Sequence, residues 1–509
     1  MDNNDTQNQA LEQGQEAQIE LETLDTEGLE SAAVIDETQE VKPKVSGKVV
    51  LKSGIWYTVS TFLFRSVAFF TTPIIVRVLS KTQYGMFNNM QSWLGFVMIF
   101  VGMGLSSTII RAKLDYKEHI DSYALSVLAL ETLATTVTFG IFWLFKGPIS
   151  AYTGVPVQFF PVAYFYVLFN QAYNVFITRE RAHYRYKLYS LLSGLMIVFY
   201  SLFTVFLVLN MEDKLKAIVY GNYIPYIVVG AVLYFLVAKD GRSIKLEHFK
   251  YGLMLGLPLL PHLFSMVLLS SADRIMITKM IGPADTALYS LSSVVPNIVS
   301  VLLNAMNEAW APWFLDTLDA HDEKSADKLS IIYYLIFLSL VVGVMLVAPE
   351  VVFILGGKKY LPGIYIVPAL IVGCIFQFAY SMYVQVEFFE KKMRTVSIAT
   401  GVAAAVNIGL NLVLIPIYGY KAAAYTTLAA YAVLFFMHYR KACVLGYKDV
   451  FNRKVIIGTL IGGCALIPVI TFLYYHPIPR YILTVIYGAG VLYFLYKQKD
   501  VIKKFLKKK

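Results

Sequence analysis

Charge is scarce in this chain: only 15% of 509 residues are Asp, Glu, Lys or Arg, against 57% hydrophobic residues and a mean hydropathy of +0.59. A soluble domain carries about 25% charged and about 45–50% apolar residues. Both departures run in the direction that solvation by a bilayer demands. No long polar stretch lies among the apolar runs, which excludes a cytosolic enzyme, a nucleic-acid binder and a secreted disulfide module. The three cysteines (Cys374, Cys443, Cys464) have neither metal spacing nor a disulfide pattern. There is no phosphate-binding loop, no His-rich or Cys-rich site and no nucleophile–base spacing, so no cofactor and no enzymatic activity is expected. Cations are missing from residues 1–41, which hold twelve Asp or Glu and no Lys or Arg. What remains is an all-α polytopic membrane protein.

A bilayer core needs about 20 apolar residues per helix. Such runs lie near 54–78, 88–110, 122–145, 159–178, 188–210, 217–238, 251–273, 285–308, 330–349, 363–386, 396–418, 421–438, 455–475 and 478–496. Fourteen transmembrane helices are therefore expected. The runs are too long for barrel strands and do not alternate. No signal peptide is expected, since a polar tail precedes the first run. Of the 44 Lys and Arg, 32 fall on one set of alternate connections and 11 on the other. By the positive-inside rule both termini are cytoplasmic. The acidic leader reads as a solvated, disordered tail with room for a regulatory role. The lysines of 497–509 read as a topology anchor that could also meet anionic headgroups. The longest polar connection is Asp316–Lys328, too short for an extramembrane catalytic domain.

A repeat organises these helices. Residues 77–88 (RVLSKTQYGMFN) align without a gap on 279–290 (KMIGPADTALYS) at an offset of 202, and Lys216–Ile218 echoes Lys421–Ala423. Six helices, an even number, separate the copies, so both halves share one orientation. The expected organisation is an acidic tail (1–47), an N-terminal six-helix lobe (48–245), a C-terminal six-helix lobe (246–440), two further helices (441–497) and a basic tail (498–509). The lobes would face each other across a central cavity.

Polar residues inside the bilayer are costly and face protein or water. Ser290, Ser293, Asn297, Ser300, Asn304 and Asn307 are spaced 3, 4, 3, 4, 3, one helical face ending beside Glu308. Thr58, Thr61, Arg65 and Thr72 form a second stripe, with Asn170, Asn174 and Thr178, and Gln377, Ser381 and Gln385, as further ones. Asn88 and Gln91 begin the second helix. These residues line a wet cavity or bond helix to helix. Arg65, near the bilayer midplane, cannot shed its charge; it binds an anionic substrate or pairs with Glu131. Glu131 is also an ion-coupling candidate. His262 is a proton relay or a core residue. Asp273 is a third coupling candidate, although Arg274 beside it offers a simple ion pair. Glu308 and Glu387 approach the cytoplasmic ends, within reach of Lys or Arg. Pro73, Pro258, Pro261, Pro296 and Pro416 interrupt apolar runs and can kink their helices.

Several segments carry a family resemblance: Trp56–Arg65, Pro73–Leu79, Gln83–Asn88, Asp273–Arg274 with Gly282 and Tyr289, Phe388–Lys392, and Leu410-Asn411 followed by Leu414–Gly419. In their order and spacing they resemble the polysaccharide biosynthesis (Wzx-type) flippases of the multidrug/oligosaccharidyl-lipid/polysaccharide (MOP) exporter superfamily, over roughly residues 48–495. Lys421 and Thr286 depart from the pattern. The resemblance implies alternating-access transfer of an undecaprenyl-pyrophosphate-linked oligosaccharide between leaflets of a bacterial inner membrane. It also implies Arg65 as a cavity cation and, by analogy with some relatives, a groove for the polyprenyl tail at 455–496. The bilayer is the other partner, with a polysaccharide polymerase or export machinery beyond it, and no nucleic acid. Two alternatives stand beside this reading: an ion-coupled drug exporter of the same superfamily, and a membrane-embedded polymerase or glycosyltransferase.

Overall fold

The computed structural model describes residues 67, 70–183 and 185–497. The predicted acidic leader, the terminal lysines and most of the first expected span, with Thr58, Thr61 and Arg65, lie outside the described residues.

The described chain is helical throughout. Residues 70–78 close the first span. α1 (Lys81–Gly102) then begins at Ser80, whose hydroxyl accepts from the Gln83 amide at 3.2 Å while the Gln83 side chain accepts from the Ser80 amide at 3.0 Å. That reciprocal capping box satisfies two donors that a helix start leaves free. Met103 and Gly104 both take left-handed conformations (φ 46° and 68°) and separate α1 from α2 (Leu105–Asp115). α3 (Ile120–Leu144) leads into α4 (Lys146–Thr153), and a 3-10 turn, Val157–Phe159, turns the chain into α5 (Phe160–Ala182). The chain bends by 106° at this elbow. α6 (Tyr186–Asn210) and α7 (Lys214–Gly241) follow, α7 capped by the Asp213 carboxylate.

α8 (Leu246–Gly256) and α9 (Leu260–Met280) meet at Leu257-Pro258-Leu259, a 3-10 turn where Pro258 and Pro261 lack backbone donors. α10 (Pro283–Ser292) starts on a proline after Gly282 at φ 141°. The helix starts at Lys81 and Pro283 are again 202 residues apart, so the repeated sequence builds a repeated helix start. α11 (Val294–Asp319) and α12 (Glu323–Gly356) come next, then a 3-10 segment, Lys358–Ile366, and α13 (Val367–Phe389). α14 (Met393–Tyr418), α15 (Tyr420–Val444), α16 (Arg453–Tyr475) and α17 (Pro477–Lys497) complete the chain.

Among the described residues eleven helical segments are long and apolar enough to cross a membrane, twelve if the bent α4–α5 pair is one span. The first expected span lies mostly outside the described residues, and α17, the expected fourteenth, is a helix outside those twelve. The helices also outrun the apolar runs. α12 has 34 residues, about 51 Å at 1.5 Å per residue, against a hydrocarbon core of about 30 Å. The expected connection at 316–328 is therefore mostly helix, with only 320–322 between α11 and α12. Hydropathy marks where a helix is in lipid, not where its hydrogen bonds end.

Packing places α13 against α11, α15 and α16, with Phe337 of α12 stacked on Phe378 of α13 at 4.2 Å between ring centroids. α5 packs on α3 and α7, and α1 lies against α9 and α10. The α1–α10 approach has no clearance: a Cβ at Gly85 would sit 1.6 Å from the Pro283 carbonyl oxygen. Gly85 and Pro283 both belong to the repeated segments. α17 is tied to α12 by Arg480, which donates to the Glu350 carboxylate at 2.6 and 2.5 Å and to the Leu346 carbonyl at 2.8 Å. A two-pronged guanidinium–carboxylate contact of this kind fixes direction as well as distance.

Candidate functional site

Asp273, on α9, is the best furnished of the three coupling candidates. It is 3% exposed. Tyr289 of α10 donates to its Oδ2 at 2.5 Å, Thr427 of α15 to the same oxygen at 2.8 Å, and Asn411 of α14 to Oδ1 at 2.7 Å. A second ring supports the first. The Asn411 amide also donates to Asn407 Oδ1 at 3.2 Å, and Thr426 donates to Asn411 Oδ1 at 2.5 Å. Asn407 and Asn411 are one helical turn apart and so share a face of α14, which the buried Thr426–Thr427 step of α15 completes. Four helices thus converge on one carboxylate with neutral donors, the arrangement a buried charge requires. The same groups offer carboxylate, amide and hydroxyl oxygens, the ligand set of a hard cation.

Asp273 and Arg274 do not form the pair their adjacency suggests. Arg274 turns to the Ser290 hydroxyl (3.2 Å) and the Ser270 carbonyl (2.7 Å). Neighbours on a helix point about 100° apart, so adjacent charges face different partners.

The long polar stripe is divided. Ser293 falls at the break between α10 and α11; Ser290 and Ser293 are buried, whereas Asn297 and Asn304 are exposed and Ser300 and Asn307 half-buried. The opposite face of α11, with Val295, Val299, Leu303, Trp310 and Phe314, is core. α11 is therefore an apolar-run helix that buries carbon and leaves amides uncovered by protein. Ser381 of α13 donates to Asn307 at 3.1 Å, and Ser300 lies 3.8 Å from Cys374. Gln377, one turn along α13, is half-buried.

The other candidates are dispersed. Asn88 donates to the Tyr84 carbonyl of its own helix at 2.7 Å, and Gln91 accepts from Tyr223 of α7 at 2.9 Å. On α5, Asn174 is exposed and donates at 3.0 Å to the nearly buried Asn170. Glu131 is fully buried; one oxygen accepts from Ser106 at 2.9 Å, and the other has no partner among the described residues. Its suggested pairing with Arg65 falls outside those residues. His262 is half-buried with Nδ1 unpartnered among the described residues. Glu387 meets no Lys or Arg: it lies 2.6 Å from Nδ1 of His438, both buried. Glu308 is exposed at the end of the α11 stripe.

Near Gly85 and Pro283 lies a reciprocal clasp. Arg77 donates to the Phe353 and Ile354 carbonyls (3.4 and 3.0 Å) at the C-terminus of α12, where the helix dipole favours a cation. Lys359 reaches back to the Arg77 and Leu79 carbonyls at 3.2 and 2.5 Å. Tyr84 and Tyr360 meet edge to face across the same junction.

The long helices, the repeated helix starts and the polar site among them define an α-helical membrane protein with a transporter fold. The described fold is similar to that of the lipid II flippase MurJ in an inward closed conformation, with a TM-score of 0.67 and 15% identity over 88% of this chain and all of that one. It is also similar to an inward-facing multidrug resistance MATE family transporter of the MOP superfamily, at a TM-score of 0.60 and 15% identity over 75% of this chain and 95% of that one. By sequence, residues 50–318 match the polysaccharide biosynthesis protein family, and the chain belongs to it. A relative in Haemophilus influenzae, "Lsg locus putative protein 1", is 25% identical over 281 residues, which cover 53% of this chain and 67% of the relative.

Proposed function

We propose that this protein carries an undecaprenyl-pyrophosphate-linked oligosaccharide from the cytoplasmic to the outer leaflet of a bacterial inner membrane, for surface polysaccharide assembly. The observation that carries the reading is the uncovered amide face of α11. A membrane helix leaves Asn297 and Asn304 unburied only where water or a polar substrate meets them, and sugar hydroxyls pair with amides as both donors and acceptors. The polyprenyl tail can stay in lipid while the headgroup crosses. Arg65 supplies the permanent cation that a diphosphate needs.

On this reading two lobes, 48–245 and 246–440, rock about the cavity. The clasp of Arg77 and Lys359, with the Gly85–Pro283 contact, closes the outer side, and opening breaks it. Asp273 and its ring bind the coupling cation: displacing the Tyr289 or Thr427 hydroxyl from the carboxylate frees oxygen ligands between α9, α14 and α15, so occupancy alters how those helices pack. The family match and the flippase-like fold support the assignment. The MATE-like fold similarity also suits a drug exporter, but a lipophilic cation calls for carboxylates along the exposed stripe, where Asn297, Ser300 and Asn304 are neutral and only Glu308, at its end, is acidic.

The test is surface polysaccharide in cells carrying only the variant protein. Asn297→Leu with Asn304→Leu, and separately Arg65→Ala, are expected to cut surface polymer at least tenfold at unchanged membrane abundance, with Arg65→Lys retaining part. Normal polymer from the Asn pair and from Arg65→Ala would remove the reading.

A further inference from the structure

Beneath the α4 elbow lies a cavity of about 400 Å³ between α1, α3, α4 and α5, walled by carbon throughout. Trp93, Leu94, Phe139, Phe142, Ile149 and Ala163 form part of that wall. Left empty, a space this large would forfeit dispersion contacts over its whole lining. Water does not substitute, because a water molecule needs two to four polar partners and this wall offers none. Hydrocarbon fills it without cost, and in a membrane hydrocarbon is at hand.

A cation stands over one edge. Tyr152, which also lines the cavity, lies under the Lys279 ammonium, 3.5 Å from Nζ to the ring centroid. Lys279 is exposed, at the C-terminal end of α9, and among the described residues it is held by the ring face and by no carboxylate. Lys146, at the start of the elbow, sits 4.6 Å over the exposed Trp143. Aromatic rings with lysines beside an apolar pocket are the composition of a headgroup boundary.

The geometry points to a bound anionic phospholipid: one acyl chain in the elbow cavity, its phosphate paired with Lys279 and flanked by Lys146. The site is separate from the α11 stripe and from the Asp273 ring. Because Lys279 comes from α9 and the cavity from α1, α3, α4 and α5, the lipid bridges the α1–α9 packing and favours the state in which these helices touch. Only that last consequence rests on the alternating-access reading.

The experiment uses the purified full chain in liposomes doped with phosphatidylglycerol or phosphatidylcholine, each bearing the same diazirine-tagged acyl chain. Phosphatidylglycerol is expected to label peptides of α1, α4 and α5 several-fold more than phosphatidylcholine does. Lys279→Gln, an exposed change, should bring that ratio close to one, and Ala163→Phe, which fills the cavity, should suppress labelling by both lipids. Equal labelling of the unaltered protein, or a preference unchanged by Lys279→Gln, would overturn the site. Undecaprenyl phosphate displacing the phosphatidylglycerol probe at a lower mole fraction than unlabelled phosphatidylglycerol does would overturn the choice of lipid. Labelling is read without transport, so its failure leaves the proposed flippase activity standing, and loss of flipping leaves the lipid site standing.

Discussion

Asp273 and Glu131 are both buried among the helices, and they are provided for very differently. Asp273 receives three donors from three other helices, backed by a second ring of amides and a hydroxyl. Glu131 receives one hydroxyl, from Ser106, and its other oxygen is bare among the described residues. A low-dielectric interior makes an unmatched charge far more costly than an unmatched neutral dipole. That contrast separates a site furnished for a charge from a side chain that is merely enclosed, and it is why we propose Asp273, rather than Glu131, as the coupling site.

Substitutions can break that contrast. The largest effect is expected from Asp273→Leu, which strands Tyr289, Asn411 and Thr427 together: at about 1–3 kcal/mol for each unsatisfied buried donor, a loss of about 3 kcal/mol or more, read as a sharp fall in folded yield in detergent. Asp273→Asn keeps the shape but turns one acceptor oxygen into a donor, so it should lower yield less than the leucine does while abolishing dependence of flipping on an ion gradient. Asn411→Leu removes one donor and should cost about 1–3 kcal/mol, measured as a lower midpoint of thermal unfolding, with weaker ion dependence. Glu131→Gln should be the mildest, no more than about 1 kcal/mol, the centre of the range for point substitutions, since a glutamine oxygen still accepts from Ser106. If Glu131→Gln erased ion dependence and Asp273→Asn did not, the two roles would be reversed.

Much of the fold was legible because it is local. Apolar runs marked the spans from α1 to α16, and the offset of 202 marked two equivalent connections, 77–88 and 279–290, in which the structure places helix starts at Lys81 and Pro283. The elbow at 146–159 was not legible: its eight-residue helix, Lys146–Thr153, is neither long nor apolar enough to register in a spanning window. The extension of α11 and α12 past the bilayer was missed for the opposite reason, since polar residues such as Asp316 and Lys328 continue a helix in water as readily as they end one.

The site divides along the same line. Asp273 stood out as an acid in an apolar run, but its partners are 16, 138 and 154 residues away. The available signal was the Asn407/Asn411 pair at one-turn spacing with the Thr426–Thr427 step after it, four polar residues in largely apolar helices. Glu387 was expected to seek a lysine or arginine and instead found His438, 51 residues on, a choice set by how α13 and α15 pack. The α11 stripe was read as one face because its spacing is helical; the break at Ser293 gave its first two members to the core and its middle ones to the open side.

The most direct measurement is the movement of a fluorescent undecaprenyl-pyrophosphate-linked oligosaccharide across liposomes that contain only this protein, followed by a quencher confined to the outside. Lipid loaded in both leaflets should become quenchable beyond the outer-leaflet half when an ion gradient is imposed, and Asn297→Leu with Asn304→Leu should abolish that gain. A quenchable fraction that never exceeds protein-free liposomes, while the same preparation moves a lipophilic cation, would contradict the account.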